Sequence, residues 1–437
     1  MDRQRLISVA AVVIFLHTAC GLLRFLTAEA VALAIDYAAC LALLVSFVLY
    51  ARQNRPRLSE HVEWKGEKGL LLFMFVWLIL SCIANLLFVG PKNVYYAPNA
   101  LIDAALLFFV YFPFGRLIAR EGASGLTVKL LCLLLTLWSL FILAVLVFVF
   151  MGRVMVLPGG VRLGVYEEYN ALALNNNPNS TSCIEYVFLM SCALAALSTK
   201  RRAFRLVCIV FMLIHFTALV ISGSRAYFLS ALVAFGLTGF GAVWRRFDQR
   251  KTAARLGIAL LAAICTVFAL LLLRYAVDCL FGLVGSEKPM IPTDKRLSGR
   301  TDIWIRSVKS IFHSALRYLF GVGAANSHAA MAEYGHVHLY THNQFLEIGV
   351  CAGVPCMAAF ACLCWMLAKK GAWIALKQAS SLKRVLAVAF FASLLIANLA
   401  EAHLLFYRRP PSYAFFLLAG WIYEICLSAR ASAEDQT

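Results

Sequence analysis

Charge is what this chain has least of. Charged residues make up only 14% of 437, and the acidic sign is the scarcer, with 22 Asp and Glu against 40 Lys and Arg. So little charge beside 62% hydrophobic residues excludes a soluble globular chain and indicates an integral membrane protein. The 14 cysteines include no CxxC pair and fall within or at the ends of apolar runs. They read as small packing residues, not as disulfides or metal ligands. No set of outer carboxylates, histidines and thiolates has metal-ligand spacing, and no internal repeat of the kind found in secondary transporters is visible.

Long apolar runs are abundant. Stretches able to cross roughly 30 Å of hydrocarbon occur at about 6–27, 29–50, 69–89, 100–119, 129–151, 181–198, 204–221, 226–244, 255–280, 343–368, 385–401 and 411–429, about twelve helices in all. The first lacks a convincing cleavage site and a second span follows at once, so it reads as a retained helix and not a signal peptide. An even number of spans with both termini inside places most of the 40 basic residues on the inner side, as the positive-inside rule requires. The net charge of +18 therefore calls for no nucleic acid. Arg24, Asp36 and Asp103 fall in or beside spans, where they read as inter-helix pairs or residues near a water boundary; a transport path or lipid flippase is the competing reading. The expected architecture is all-α and polytopic. Residues 1–280 carry nine spans and a short outer loop at about 152–180, residues 281–341 form a long outer loop, and residues 342–437 carry three more spans.

Topology leaves a cluster of basic residues from Arg274 to Arg317 unexplained, on the outer side. Within it, "LSGRTDIWIRSVKSIFHSALRYLF" at 297–320 has helical periodicity, with Trp304, Val308, Ile311, Ala315 and Leu319 on one side and Arg306, Lys309, His313 and Arg317 on the other. This predicts one amphipathic helix lying on the outer membrane surface, with Arg300 just before it, where loop backbone and guanidinium can converge on an anion. Arg225 follows the short turn of "SGSR" at 222–225, which holds its backbone tightly; it can bind an anion there or snorkel to lipid phosphates. The loop at 152–180 is rich in Gly, Asn and Pro, residues that build turns. It is either a structured loop or an inert connector.

"THNQFLEIGVCAGVP" at 341–355 places a histidine and an asparagine at the mouth of a membrane helix. Thr341 with Gln344 three residues on has the form of a capping box, predicting a helix that starts at Thr341 with His342 at its first position. An imidazole there with a free ring nitrogen can take a proton; helix capping is the other reading. Gly349 and Gly353, at GxxxG spacing, allow a neighbouring element to approach closely.

Together, the SGSR turn, the SGR of 298–300 and the HNxFLEIGVxxGVP block of 342–355 resemble the O-antigen ligase and O-antigen polymerase superfamily of bacterial inner membranes. The sequence-specific part of the resemblance covers about 160–180 and 222–355. It implies a GT-C-like helical fold, a glycan donor on undecaprenyl pyrophosphate, no cofactor and no metal. It further implies that Arg225 and Arg300 bind the pyrophosphate and that His342 is the catalytic base, on the periplasmic side of a multi-pass protein whose termini are both cytoplasmic. Arg162, Asn179 and Asn343 are expected substrate contacts, and Glu401 is a further acidic group late in the chain without an assigned role. The acceptor is lipid A-core for a ligase and a second lipid-linked repeat unit for a polymerase. The loop and its cationic helix favour the ligase; a protein O-glycosylating relative usually has a larger soluble portion. Two arginines able to offset the leaving-group charge, beside no metal-ligand spacing, predict that transfer by the purified protein persists in excess EDTA; a strict need for added magnesium or manganese would refute this.

Overall fold

The structure is a computed structural model that describes residues 66–90, 97–156, 162–166, 171–174, 178–246, 252–283, 300–324, 326–334, 340–378, 381–406 and 409–434, with scattered positions before residue 66. Arg24, Asp36 and most of the first two apolar runs lie outside these residues. The helices are α1 (Glu67–Phe88), α2 (Ala97–Glu121), α3 (Gly125–Phe150), α4 (Pro178–Ser198), α5 (Arg202–Ile221), α6 (Arg225–Arg246), α7 (Thr252–Leu283), α8 (Arg300–Ile311), α9 (Ala315–Phe320), α10 (Ser327–Glu333), α11 (Gln344–Trp373), α12 (Leu382–Ala397) and α13 (Pro410–Glu434). Among the described residues nine are long and apolar enough to cross a membrane. The run read at 385–401 forms α12, a shorter helix of 16 residues. The chain is a multi-pass membrane protein.

The outer loop read at 152–180 is structured, and against the all-α expectation it carries a three-stranded antiparallel sheet, β1 (Met155–Val156), β2 (Arg162–Tyr166) and β3 (Ala171–Leu174), in the order β1-β2-β3. Leu163 pairs with Leu174, and Leu163, Leu172 and Leu174 are fully buried. The loop thus has an apolar face of its own. The backbone N–H of Leu174 donates to Thr181 Oγ1 at 2.7 Å, tying the sheet to the first turn of α4.

One end of the bundle is closed by buried ion pairs. Glu67 of α1 meets Lys370 of α11 at 2.5 Å, and Glu424 of α13 accepts from Arg116 Nε at 2.8 Å and from Arg120. Lys370 and Arg116 also lie over the Tyr423 ring, at 4.4 and 4.9 Å from its centroid, so the cations are matched by carboxylates and a π face.

The α11 helix is broken in its first third. Gly353 adopts φ 81°, ψ 171°, and Pro355 follows, supplying no N–H. A break inside hydrocarbon leaves carbonyls without helical partners, and each must be satisfied by protein. Here α1 and the α9 segment satisfy them. Val350 O accepts from Val322 N at 2.8 Å, Cys351 O from Ser81 Oγ at 3.3 Å, and Ala352 O from Trp77 Nε1 at 3.1 Å. Trp77 also donates to Leu319 O at 3.0 Å, Ser81 to Phe320 O, and Asn85 Nδ2 to Gly321 O at 3.3 Å. The close approach anticipated at Gly349 and Gly353 is therefore made by α8 and α9, not by another span: a Cβ on Gly349 would press on Ile311, and one on Gly353 would overlap the Leu319 carbonyl.

The single amphipathic helix read over 297–320 is two helices. Ser314, in extended conformation, breaks the run and caps α9 by accepting from Arg317 N at 3.2 Å. Of the apolar side read from periodicity only Ile311 is buried. Ile303, Ser307, Ser310 and Ile311 face the protein, while Val308, Ala315 and Leu319 are exposed.

Gly321 stands at φ 66° with its Cα against the backbone of Cys351 and Ala352. Gly321→Ala combines a left-handed backbone with a backbone clash, each costing about 1–3 kcal/mol. It should lower the melting temperature of the detergent-solubilised protein or abolish its monodisperse peak. Gly257→Ala, at a helical glycine with open space around it, should be neutral or stabilising by about 0.5–1 kcal/mol; equal effects of the two would refute this account of the break.

Candidate active site

The end of the bundle opposite the Glu67–Lys370 pair gathers side chains from five segments. The local structure of 341–347 explains why His342 points where it does. Asn343, not Thr341, is the N-cap of α11: its backbone is extended, and its Oδ1 accepts from Phe345 N at 3.0 Å and Leu346 N at 3.1 Å. Asparagine is among the strongest N-caps, and it displaces the capping box read from Thr341 and Gln344. Thr341 instead donates through Oγ1 to Asn343 O and through its backbone N–H to Glu347 Oε2, both at 2.9 Å. Gln344 reaches the α12–α13 connection, where its Oε1 accepts from Leu404 N at 2.8 Å and Leu405 N at 3.2 Å.

His342 therefore precedes the helix, and it has φ 52°. A β-carbon in the left-handed region costs about 1–2 kcal/mol, so such a residue persists only where its neighbours hold it. Asn343 Nδ2 to Leu399 O at 2.9 Å and Gln344 N to Asn398 O at 2.9 Å supply that hold. The result is that the imidazole faces Glu401, with Nδ1 3.2 Å from Oε2. A carboxylate only accepts, so Nδ1 carries the hydrogen of this contact, and Nε2 lies on the far side of the ring from Glu401.

Glu401 is the centre of the cluster. The sequence placed it near the end of a span; α12 ends at Ala397, and Glu401 sits in the connection that follows, fully buried. Arg300, the first residue of α8, donates Nη2 to Oε1, and Tyr340 donates its hydroxyl to Oε2 at 3.4 Å. The Tyr340 ring lies 4.2 Å from that of His342. Burial, then the Glu401 charge, raises the Tyr340 phenol well above its ordinary value, so it stays a donor. His403 stands 4.0 Å from Glu401. Its Nε2 accepts from Arg409 Nη1 at 2.6 Å, which leaves Nδ1 to donate to the Tyr227 hydroxyl at 2.6 Å. Burial first, then Arg409, His342 and Arg300, hold the His403 imidazole far below its ordinary pKa; it is a neutral strut between α6 and α13.

Arg225 opens α6 and is exposed at this same end, two residues before Tyr227. Just before it, Ser224 is buried with a hydroxyl that has no protein partner. Ser222 of the same turn bonds Ser182 of α4 at 2.7 Å, one turn from Asn179, which is partly buried. Arg162 begins β2 opposite Val156; its side chain lies outside what the structure describes. Asp103 is buried within α2. Asn343 is engaged in the cap and with Leu399. Among the described residues no group of three or more His, Cys, Asp and Glu is arranged to hold a metal.

A second histidine–carboxylate pair lies deeper. His215 Nδ1 is 2.6 Å from Glu185 Oε2, and its Nε2 is 2.9 Å from Ser139 Oγ. The order Ser, His, Glu has the form of a nucleophilic triad, but all three side chains are fully buried, which closes it to a substrate.

A guanidinium and an imidazole joined by one buried carboxylate, at one end of a bundle of membrane helices, define a candidate transferase site for an anionic, lipid-borne substrate. A family model described as O-Antigen ligase matches residues 208–361. That stretch contains Arg225, Arg300 and His342, and the match supports the O-antigen ligase and polymerase superfamily, whose members are glycosyltransferase-like enzymes acting on lipid-linked sugars. No curated protein matches the chain.

Glu401 leaves two readable consequences. Removing one partner of a buried pair costs about 3–5 kcal/mol, whereas removing both costs far less. Glu401→Gln and Arg300→Gln should each lower the melting temperature, and the double variant should recover much of the loss. Additive effects would mean that the pair is not coupled.

Proposed function

We propose that this protein transfers an O-antigen glycan from undecaprenyl pyrophosphate to a sugar hydroxyl of lipid A-core. The reaction takes place at the periplasmic face of the bacterial inner membrane, and both termini are cytoplasmic. The observation that carries the reading is that Arg300 and His342 share one buried carboxylate, Glu401.

Each group has a separable task. The guanidinium groups of Arg225 and Arg300 match phosphate oxygens in a planar, bidentate way and stay charged, so they stabilise the departing pyrophosphate where other glycosyltransferases use a divalent ion. Arg300 has five N–H donors, and Nη2 on Glu401 leaves others for the phosphate. His342 Nε2 takes the acceptor hydroxyl proton as that oxygen bonds to the anomeric carbon. The bond from that carbon to the pyrophosphate breaks with its electron pair going to the leaving oxygen. Attack opposite the leaving group inverts the centre. Glu401 holds the ring through Nδ1 and offsets the imidazolium charge, as the acidic member of a triad does. Asn179, one turn from the Ser182–Ser222 bond, is a further donor contact in this reading.

A polymerase would use the same donor chemistry with a lipid-linked repeat unit as acceptor. The purified protein, given a defined lipid-linked donor and each acceptor in turn, should transfer to lipid A-core; transfer only to a second lipid-linked unit would assign it as a polymerase. With donor affinity and turnover measured separately, His342→Ala should lose about 10²–10⁴ in turnover with donor binding kept. Arg225→Lys or Arg300→Lys should retain charge and insertion yet lose most activity. Abolished donor binding in His342→Ala, or near-full activity in the lysine variants, would overturn these assignments.

A further inference from the structure

Segment 300–341 does not rest on top of the membrane helices. Its path can be followed by its partners along α11. Arg300 is level with Glu401 and His342; Ile311 packs at Gly349; Leu319 packs at Gly353. The chain then turns and rises, with Val322 N on Val350 O, Ser327 Oγ on Glu347 Oε1 at 2.6 Å, and Thr341 N on Glu347 Oε2. At its lowest point the Leu319 carbonyl is held by Trp77. That residue is eleven positions below the site end of α1, roughly 16 Å down the helix axis at 1.5 Å per residue, about half the thickness of the hydrocarbon layer.

The outward face of this descending arm is apolar. Ile305, Val308 and Phe312 follow one another at i, i+3 and i+7 and are exposed by 49, 43 and 65%; Leu319 of α9 is exposed as well. This face is continuous with the exposed stripe of α1. Phe73 stacks on Trp77, and Trp77 stacks on Phe320, both with centroids 5.4 Å apart, and the stripe runs on through Val76, Leu80, Ile83 and Leu87. The inward face carries Ser307 and Ser310 beside Ile303 and Ile311, small or apolar groups that let α8 lie close to α11.

We infer that 300–322 is a re-entrant arm that enters the leaflet on the site side, and that Ile305, Val308, Phe312 and Leu319 are covered by lipid acyl chains. Depth and continuity with a membrane-spanning surface identify the occupant: at the level of Trp77 the medium around α1 is hydrocarbon. The inference needs only that the chain crosses a membrane and is independent of the reaction. Its consequence is that the helix bearing Arg300 on one face is anchored by lipid on the other.

The test is benzoylphenylalanine placed singly at Val308, Phe312 or Leu319, and at the exposed Ala332 of α10 as the position above the membrane, in full-length protein irradiated in native membranes. The three arm positions are exposed, and a monodisperse peak after extraction verifies folding. The expected result is a mass shift of one phospholipid at the three arm positions and none at Ala332. A covalent dimer or a crosslinked second protein at those positions would make the face a protein interface, and the proposal falls. Absence of lipid adducts at all three, or equal lipid labelling at Ala332, would place the segment outside the bilayer and also overturn it.

Discussion

Inside hydrocarbon a backbone N–H or C=O that leaves a helix must find its partner within the protein, and the arrangement of this chain follows from meeting that demand around α11. The helix is irregular twice, at its start and at Gly353. At the start, Gln344 and Asn343 tie it to the 398–405 connection; at the break, Trp77, Ser81 and Val322 take the freed carbonyls. The first set of bonds brings Glu401 against His342. The second holds the arm that carries Arg300. Neither reactive side chain is placed by its own helix alone; both are placed by what repairs α11.

Those repairs also account for the polar residues scattered along apolar elements. Ser81 and Asn85 on α1, and Gln344 on α11, are buried and bond to backbone outside their own helices. A buried polar group without a partner costs about 1–3 kcal/mol, so each such residue disfavours any packing but the one that satisfies it. The same holds for His403, a neutral imidazole fixed between Arg409 and Tyr227.

Much of the membrane architecture is legible in the sequence because long apolar runs admit few other readings, and His342, Arg300 and Arg225 are legible because they sit in short polar motifs at the ends of such runs. Glu401, His403 and Arg409 form a comparable polar cluster in "EAHLLFYRRPP", at 401–411 between two apolar runs; the signal was present, but nothing in linear spacing assigns it to His342, from which it is separated by a whole helical hairpin. Tyr227 and Tyr340 join only through folding. Periodicity separates an apolar from a basic side of α8 but does not tell which small residues pack on α11, because beside lipid the protein side favours small residues and the outer side is itself apolar. Ser307 and Ser310 inward, with Val308 and Phe312 outward, is the pattern of a helix in that setting. The choice of N-cap for α11 lies between two good capping residues on either side of His342, Thr341 and Asn343, and taking the second moves His342 from the first helical turn to a left-handed position outside it.

The two histidine–glutamate pairs show how far access, more than residue type, decides function here. In the deeper pair the hydrogen-bond inventory closes on itself. Trp138 Nε1 donates to Glu185 Oε1 at 3.0 Å, and Ser139 donates to Leu135 O at 2.6 Å, so Ser139 must accept from His215 Nε2. A single proton then lies between His215 Nδ1 and Glu185 Oε2, whichever atom holds it, and the unit is neutral overall. All three side chains are fully buried, and no surface reaches them. The Glu401 cluster is open instead: the His342 and Arg300 side chains keep contact with the surroundings at 13 and 16% exposure, and positive charge is in excess. An anion and a hydroxyl can complete that cluster, which is what a glycosyl transfer from a pyrophosphate would bring to it.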